Sequence, residues 1–383
     1  MPNAETVVQK FDRSLPLSPR FRTGASLHSH TMHSREYLGS FPRYLTHIPI
    51  ASYIIEREVG RVHLLTHRVF DFRRMYWTPP LSPREAFELE QKQIEETFGL
   101  SALVSLSDHD SIEAGLGLRT LSRFPHAERA PISVEWTVPY EQTVFHFGVH
   151  NLPLARAKAW MDELASYTAN PQQPRLRDIL NGLSSEPGTL LVFNHPFWDV
   201  ENAGAPQQHR DCIAIFLQKY GQMIHALELN GMRSRKENQL VLQLAESVDM
   251  PVVAGGDRHG CEPNAVLNLT VATTFAEFAE EIRIDRQSHV VMMPQYFEPL
   301  RHRILESAWH ALCDAPGEFG RSHWMSRVFI EGDDGSTRPV SDFTGTRFQS
   351  LVDKFRWVMA FLVSPQVRPA VRLAFLGQED GGL

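Results

Sequence analysis

Three histidines stand within six residues near the start of the chain, in Ser26-Leu27-His28-Ser29-His30-Thr31-Met32-His33-Ser34. In an extended strand successive side chains alternate faces, so His28 and His30 point the same way. Two imidazoles on one face at a strand end can grip one divalent ion, and His33, just past the strand, can reach a neighbouring one. A polar loop in a chain that holds 18 histidines is the other reading of this stretch. Similar strand ends further along decide between the two.

SALVSLSDHDS (101–111) is an apolar strand ending in Asp108-His109-Asp110. PISVEWTV (131–138) sets Glu135 among apolar and β-branched neighbours. A buried glutamate needs a partner, which is either a metal ion or an arginine. VFHFGVHNL (144–152) carries His146 and His150, either of which also reads as a core histidine. TLLVFNHPFWD (189–199) is a near-continuous apolar run, as a parallel strand buried on both faces would be. Proline cannot extend the ladder, so His195 falls at the end of that strand. MIHALELNG (223–231) offers Glu228 and Asn230 on one face, and MPVVAGGDRHG (250–260) ends with Asp257 and His259 at the spacing of the first pair. Neutral imidazoles with a few carboxylates suit Zn, Mn or Fe. A glutamate such as Glu135 can bridge two ions, and paired cations can clamp both oxygens of a displacement.

The elements that would position these residues form a βα rhythm. Ser82-Pro83-Arg84-Glu85 is a capping box with proline at the first helical position, and the helix it opens stops at Gly99. The strand 101–111 follows at once, which predicts a βα unit with a parallel sheet whose carboxyl strand ends carry the chemistry. Residues 156–185 predict two helices around a polar break, and LNLTVATT (267–274) and HVVMMP (289–294) the last sheet elements. Residues 35–80 are basic, aromatic and irregular, with Arg43, Arg57, Arg61, Arg68, Arg73, Arg74, His47, His63 and His67; such an insertion is a lid or a surface decoration.

At 383 residues with 42% hydrophobic and 22% charged side chains, the chain can bury a sizeable core. A net charge of -7 gives no electrostatic case for nucleic acid. Cys212, Cys261 and Cys313 are widely spaced and suggest neither a disulfide framework nor a thiolate zinc site. No signal-peptide core opens the chain. The longest apolar run, Trp357 to Val363, stops at Ser364-Pro365, so a soluble cytoplasmic protein is expected.

HSHTMHS, SDHDS, the glutamate of SVEWT, FNHP and GGDRHG together resemble the PHP family, named for polymerase and histidinol phosphatase, over about residues 24–275. The resemblance implies an α/β fold, a distorted (β/α)7 barrel, with two or three divalent ions at the carboxyl ends of its strands. It implies a metal-dependent phosphoesterase in which a bridging hydroxide attacks a phosphate mono- or diester. Carried over by position, His28, His30, Glu135 and Asp257 would hold one ion. Glu135, His146 and His195 would hold the second, and His33, His109 and His259 the third. His150 or His47 stand as replacements for His146 and His33. Glu135, Asp257 and His259 are expected at the chemical step, with Asp108, Glu228 and Asn230 supporting. Arg258 stands where the family has a small residue, either to bind a substrate phosphate or to form a surface salt bridge. Residues 1–294 would be the barrel, with 35–80 as its insertion, and 295–383 a mostly helical C-terminal extension. The expected partner is a small phosphorylated substrate, with a homo-oligomer open. Two other readings remain: an amidohydrolase-type metallohydrolase, many of which use a bridging lysine, and a non-catalytic scaffold or binding module.

Overall fold

The computed structural model describes residues 3–14, 17–39, 57, 60, 71–120, 127–199, 206–313, 315–317, 320–332, 334–342 and 346–375. His47, His63, His67, Arg43, Arg61 and Arg68 lie outside them. The fold is mixed α/β. In chain order the first half runs β1 (Glu5–Lys10), β2 (Thr23–Ser29), β3 (Glu36–Tyr37), β4 (Met75–Trp77), α1 (Pro83–Phe98), β5 (Ser101–Leu106), α2 (Glu113–Thr120), β6 (Val134–Tyr140), β7 (Thr143–His150), α3 (Ala157–Ala169) and α4 (Gln173–Ser185). The chain continues through β8 (Leu190–Asn194), α5 (Pro206–Tyr220), β9 (Ala226–Asn230), α6 (Arg235–Ser247), β10 (Val252–Gly255), β11 (Val266–Thr270), α7 (Phe275–Glu280), β12 (Gln287–Met292) and α8 (Leu300–Leu312). Beyond these lie β13 (Ala315–Gly317), β14 (Gly320–Ser322), β15 (Val328–Glu331), β16 (Thr337–Pro339), α9 (Thr346–Val363) and α10 (Arg368–Phe375).

The local signals act as their chemistry requires. Ser82 and Glu85 close a reciprocal capping box on α1, and Gly99 ends that helix at φ 66°, where a side chain would strain the backbone. The break between α3 and α4 falls at the proline-bearing segment, as the sequence suggests.

Two five-stranded sheets carry the core, ordered β1-β12-β11-β2-β5 and β10-β9-β8-β7-β6. Among the described residues no single ladder closes these two sheets into a barrel. The sheets meet through two isolated parallel bridges, Ser29 with Arg258 and His109 with Glu135. The reason is local. His28 (φ 61°) and Asp257 (φ 52°) are left-handed, and a chain in that conformation cannot continue an ordinary strand ladder. Aromatic side chains fill the second sheet's helix-covered side, where Trp136, Phe147, Phe193 and Phe216 are fully buried.

The ends of the 35–80 insertion are strands, not irregular chain. They pair into a four-stranded sheet, β16-β15-β4-β3, whose other half comes from beyond residue 294. That far segment thus adds short strands to its helices. No helix among the described residues is long and apolar enough to cross a membrane.

Arg258 departs from both sequence expectations, because it is neither at the surface nor in the site. Its side chain is 1% exposed and holds Glu90 of α1 at 2.6 and 2.9 Å. Glu90 also accepts from Ser26 at 2.5 Å, so α1 is tied to β2 just before its histidines. Removing one member of a buried pair strands the other's charge in a poorly solvated interior. Glu90→Ala is accordingly expected to cost about 3–5 kcal/mol of stability, read as a lower urea midpoint at unchanged slope.

Candidate metal centre

The site is built where β2, β5, β8 and β10 end, and where β6 and β7 pass. A register shift between Ser26 and Ser29 in the β2–β5 ladder marks an irregularity at His28. Simple alternation therefore does not aim this histidine; the left-handed bulge re-aims it. His195 (φ 25°) and Asp257 (φ 52°) are also left-handed. Non-glycine residues held this way cost of order 1–3 kcal/mol each, and such strain gathers at functional sites. His146 is not at a strand end. It lies within β7, which runs antiparallel to β8, so it sits opposite Asn194 at the end of β8.

One carboxylate is the centre. Glu135, the second residue of β6, is fully buried. Its Oε2 lies 3.0 Å from His28 Nε2, 3.3 Å from His109 Nδ1 and 3.4 Å from His30 Nε2. Its Oε1 lies 3.1 Å from His195 Nε2 and 3.4 Å from His146 Nδ1, and accepts from Asn194 Nδ2 at 3.0 Å. Asp257 Oδ1 stands 3.7 Å from His28 Nε2 and 3.6 Å from His30 Nε2.

These atoms form four overlapping groups of ligand type: His28, Glu135 and His195; His28, His30 and Asp257; His109, Glu135 and His146; and His30, Glu36, His109 and His259. Burial grades across them. His28, His30 and Glu135 are sealed, whereas the Glu36, His109 and His259 side chains are 13%, 17% and 20% exposed. The last group is the mouth of the site.

His33 does not join. It is exposed and belongs to none of these groups. Glu36 takes its place, with Oε2 3.3 Å from His259 Nε2 and 3.5 Å from His109 Nε2. The sequence reading missed it because the residues after Ser34 looked like the start of an irregular insertion. The available signal was the first carboxylate after the histidine run. His150, the stand-in for His146, is turned away and bonds Ser105 Oγ at 2.7 Å.

Groups behind the ligands fix their rings. Glu228 Oε1 takes His28 Nδ1 at 2.5 Å, and its Oε2 accepts from the His195 N–H at 2.8 Å and from Asn230 Nδ2 at 2.9 Å. Asp108 accepts from Thr31 N and Oγ1, at 2.5 and 2.8 Å, which holds the turn between His30 and Ser34. Ser34 Oγ in turn donates to Glu36 Oε1 at 2.6 Å, and it accepts from the His109 N–H at 3.1 Å.

The electrostatics follow from sharing so few negative charges among so many rings. Burial alone would depress His28, but Glu135, Glu228 and Asp257 outweigh it and raise its pKa well above the ordinary value. Burial and the nearby His259 press His30 down to about 3, and burial also lowers His195. At His259 the carboxylate of Glu36 overcomes burial and lifts the pKa to about 9. Burial opposes ionisation of Glu135, yet His28, His109 and His146 hold it well below the usual range. Burial pushes Asp108 up to about 7.

Does this donor set fit divalent ions? His28 Nε2, His30 Nε2, Glu135 Oε2 and His146 Nδ1 are buried without a hydrogen-bond partner, although all gather around the one carboxylate. Buried polar atoms left so are costly, and cations held within the overlapping groups would satisfy them. Imidazole with carboxylate is also the donor chemistry of Zn, Mn and Fe. The set fits.

No family model matches the sequence, and no curated protein matches it. Among solved structures, one similar chain is a protein from Bifidobacterium adolescentis presumed to be a metal-dependent phosphoesterase. The match is at 14% identity and a TM-score of 0.32, over 55% of this chain and 92% of that one. Another is an amidohydrolase from Chromobacterium violaceum, solved with bound sulfate and no metal. Identity is again 14% and the TM-score 0.32, over 47% of this chain and 83% of that one.

The exchange of His33 for Glu36 has a direct test in metal content per chain after loading with Mn(II) and gel filtration. Glu36→Ala is expected to lose one ion, and His33→Ala to retain the wild-type count. The reverse result would return His33 to the site.

Proposed function

We propose that this chain is a PHP-type metal-dependent hydrolase of phosphate esters. The carrying observation is Glu135: its two oxygens face different sets of imidazoles, as a carboxylate bridging two ions would. Following the two bridges, the strands β2-β5-β6-β7-β8-β9-β10 lead back to β2, which supports a distorted seven-stranded barrel within residues 1–294. Ions at such a centre supply Lewis acidity and an acidified water for displacement at phosphorus.

The chain's own residues do the rest. His28, His30, Glu135 and Asp257 would hold one ion, Glu135, His146 and His195 the second, and Glu36, His109 and His259 with His30 the third. Substrate enters over the last group, the most open of them. Arg233 offers a cation beside Asp257, with its guanidinium 3.8 Å over the Trp198 ring and Nη2 3.3 Å from Asp257 Oδ2. A planar, always-charged fork backed by an aromatic face suits a phosphoryl oxygen. When the open group carries no cation, His259, whose Nε2 lies 3.3 Å from Glu36 Oε2, would be the group to hand a proton to the leaving oxygen. When a cation sits there, His259 serves as a ligand.

The amidohydrolase reading has less support. All six lysines are described and all are exposed, so none is placed to bridge two ions. Complete ligand groups also weigh against a bare scaffold. The favoured substrate is a small phosphorylated molecule, and Arg233 is the residue that favours it.

A panel of phosphomonoesters and diesters, offered to protein loaded with Mn, Fe or Zn in turn, tests the proposal. Turnover that a chelator abolishes is expected. A folded, metal-loaded preparation that turns over none of them would sink it. Glu228→Ala, which frees the far nitrogen of His28, is expected to lower metal affinity or turnover by about 10- to 100-fold.

A further inference from the structure

We infer that the segment beyond residue 294 is a working part of the metal centre: β15 positions Glu36, and thereby assembles the most open ligand group. This rests on the metal-centre reading above and adds to it a dependence that the ligands alone do not show.

Glu36 stands on β3, an edge strand of two residues. Among the described residues its ladder partner is β4, three residues long, with Glu36 opposite Trp77 and Tyr37 opposite Tyr76. An isolated two-stranded ribbon is marginal in water even at greater length. What extends it is β15, whose Val328, Phe329 and Ile330 pair with Trp77, Tyr76 and Met75. β16 then covers the outer edge of β15.

Side chains repeat the same linkage. Phe329 stacks on Tyr76 with centroids 5.2 Å apart and planes 21° from parallel. Arg35, next to Glu36, lies over the Tyr76 ring at 5.2 Å and reaches Glu331 Oε1 at 3.7 Å. Tyr37, on the other side of Glu36, donates to Glu331 Oε1 at 3.3 Å. Both sequence neighbours of the ligand are thus held by β15 and by β4, which β15 supports. Arg327, 6% exposed, fastens the base of the sheet. Its backbone carbonyl accepts from Thr78 N at 2.9 Å, and its guanidinium donates to Thr78 O at 3.2 Å and to Ala311 O and Cys313 O at 2.8 and 2.6 Å. The end of α8 is in turn joined to the loop after His259, through His310 Nδ1 and Glu262 Oε2 at 3.0 Å. The C-terminal segment therefore grips the open group from two sides, at Glu36 and behind His259. Ligand geometry must be held to a fraction of an ångström by such supports.

The test uses the full-length chain loaded with Co(II), read by elemental analysis and by the visible absorption of the bound ion. In Phe329→Ala the affinity for one ion is expected to fall tenfold or more, with loss of its absorption band, while the remaining ions stay tight. Phe329→Tyr, which keeps the ring stack, restores it. Glu331→Ala, at a partly exposed position, is the second variant should Phe329→Ala fail to fold, and it lowers the same affinity severalfold. Wild-type ion count and affinity in both Phe329→Ala and Glu331→Ala, beside loss of an ion in Glu36→Ala, would overturn the inference and leave the metal centre standing. A wild-type chain that binds no Co(II) at all would overturn the metal-centre reading itself.

Discussion

A buried carboxylate cannot stay ionised alone, and in this protein five imidazole nitrogens lie within 3.4 Å of one: the carboxylate of Glu135. Most of the architecture around it can be understood as the means of bringing those five rings, from four separate strand regions, to a single point. The concentration of charge has a consequence for each ring. His28 and His259, facing carboxylates, are pushed towards the protonated form, whereas His30 and His195 are held neutral by burial. A site with neutral nitrogens, shared carboxylate oxygens and unsatisfied buried atoms is prepared for cations more than for a hydrogen-bonded core.

The fold accepts local cost to make that point exist. Backbone at His28, His195 and Asp257 is left-handed, and the three side chains gather near Glu135. Glu228 compensates by gripping both the His28 ring and the His195 backbone, and Gly255 leaves the space that its carboxylate occupies. A Cβ at position 255 would collide with that carboxylate, which explains a glycine at the end of this buried strand. The buried Arg258–Glu90 pair works from behind, fixing α1 against the strand that ends in the histidines. Glu36 is the exception to this inward logic, since it is delivered by a small sheet of its own.

Much of the site was legible because metal ligands come from few residue types and because strand ends announce themselves. SDHDS, FNHP and GGDRHG each follow an apolar run, so His109, His195, Asp257 and His259 could be named without coordinates. His146 and His150 sit in the same strand four residues apart, and their one-dimensional pattern is equivalent. Only the pairing of β7 with β6 and β8 sets His146 beside Glu135 and Asn194 and leaves His150 on Ser105. Arg258 illustrates the same limit: its charge is visible in sequence, but the residue that neutralises it lies 168 positions away.

By itself, then, the sequence determined the alternation of strands and helices, the boundaries of α1 through its capping box and glycine, and the donor chemistry of the centre. These depend on local propensity and on residue type, which the chain carries at every position. Tertiary structure alone decided that Glu36 and not His33 faces His259, and that two sheets meet by bridges instead of one continuous ladder. It also decided that residues on both sides of the insertion join a strand from beyond residue 294. Each of those outcomes is set by which distant segments pair, and pairing energy belongs to contacts between segments rather than to either segment alone.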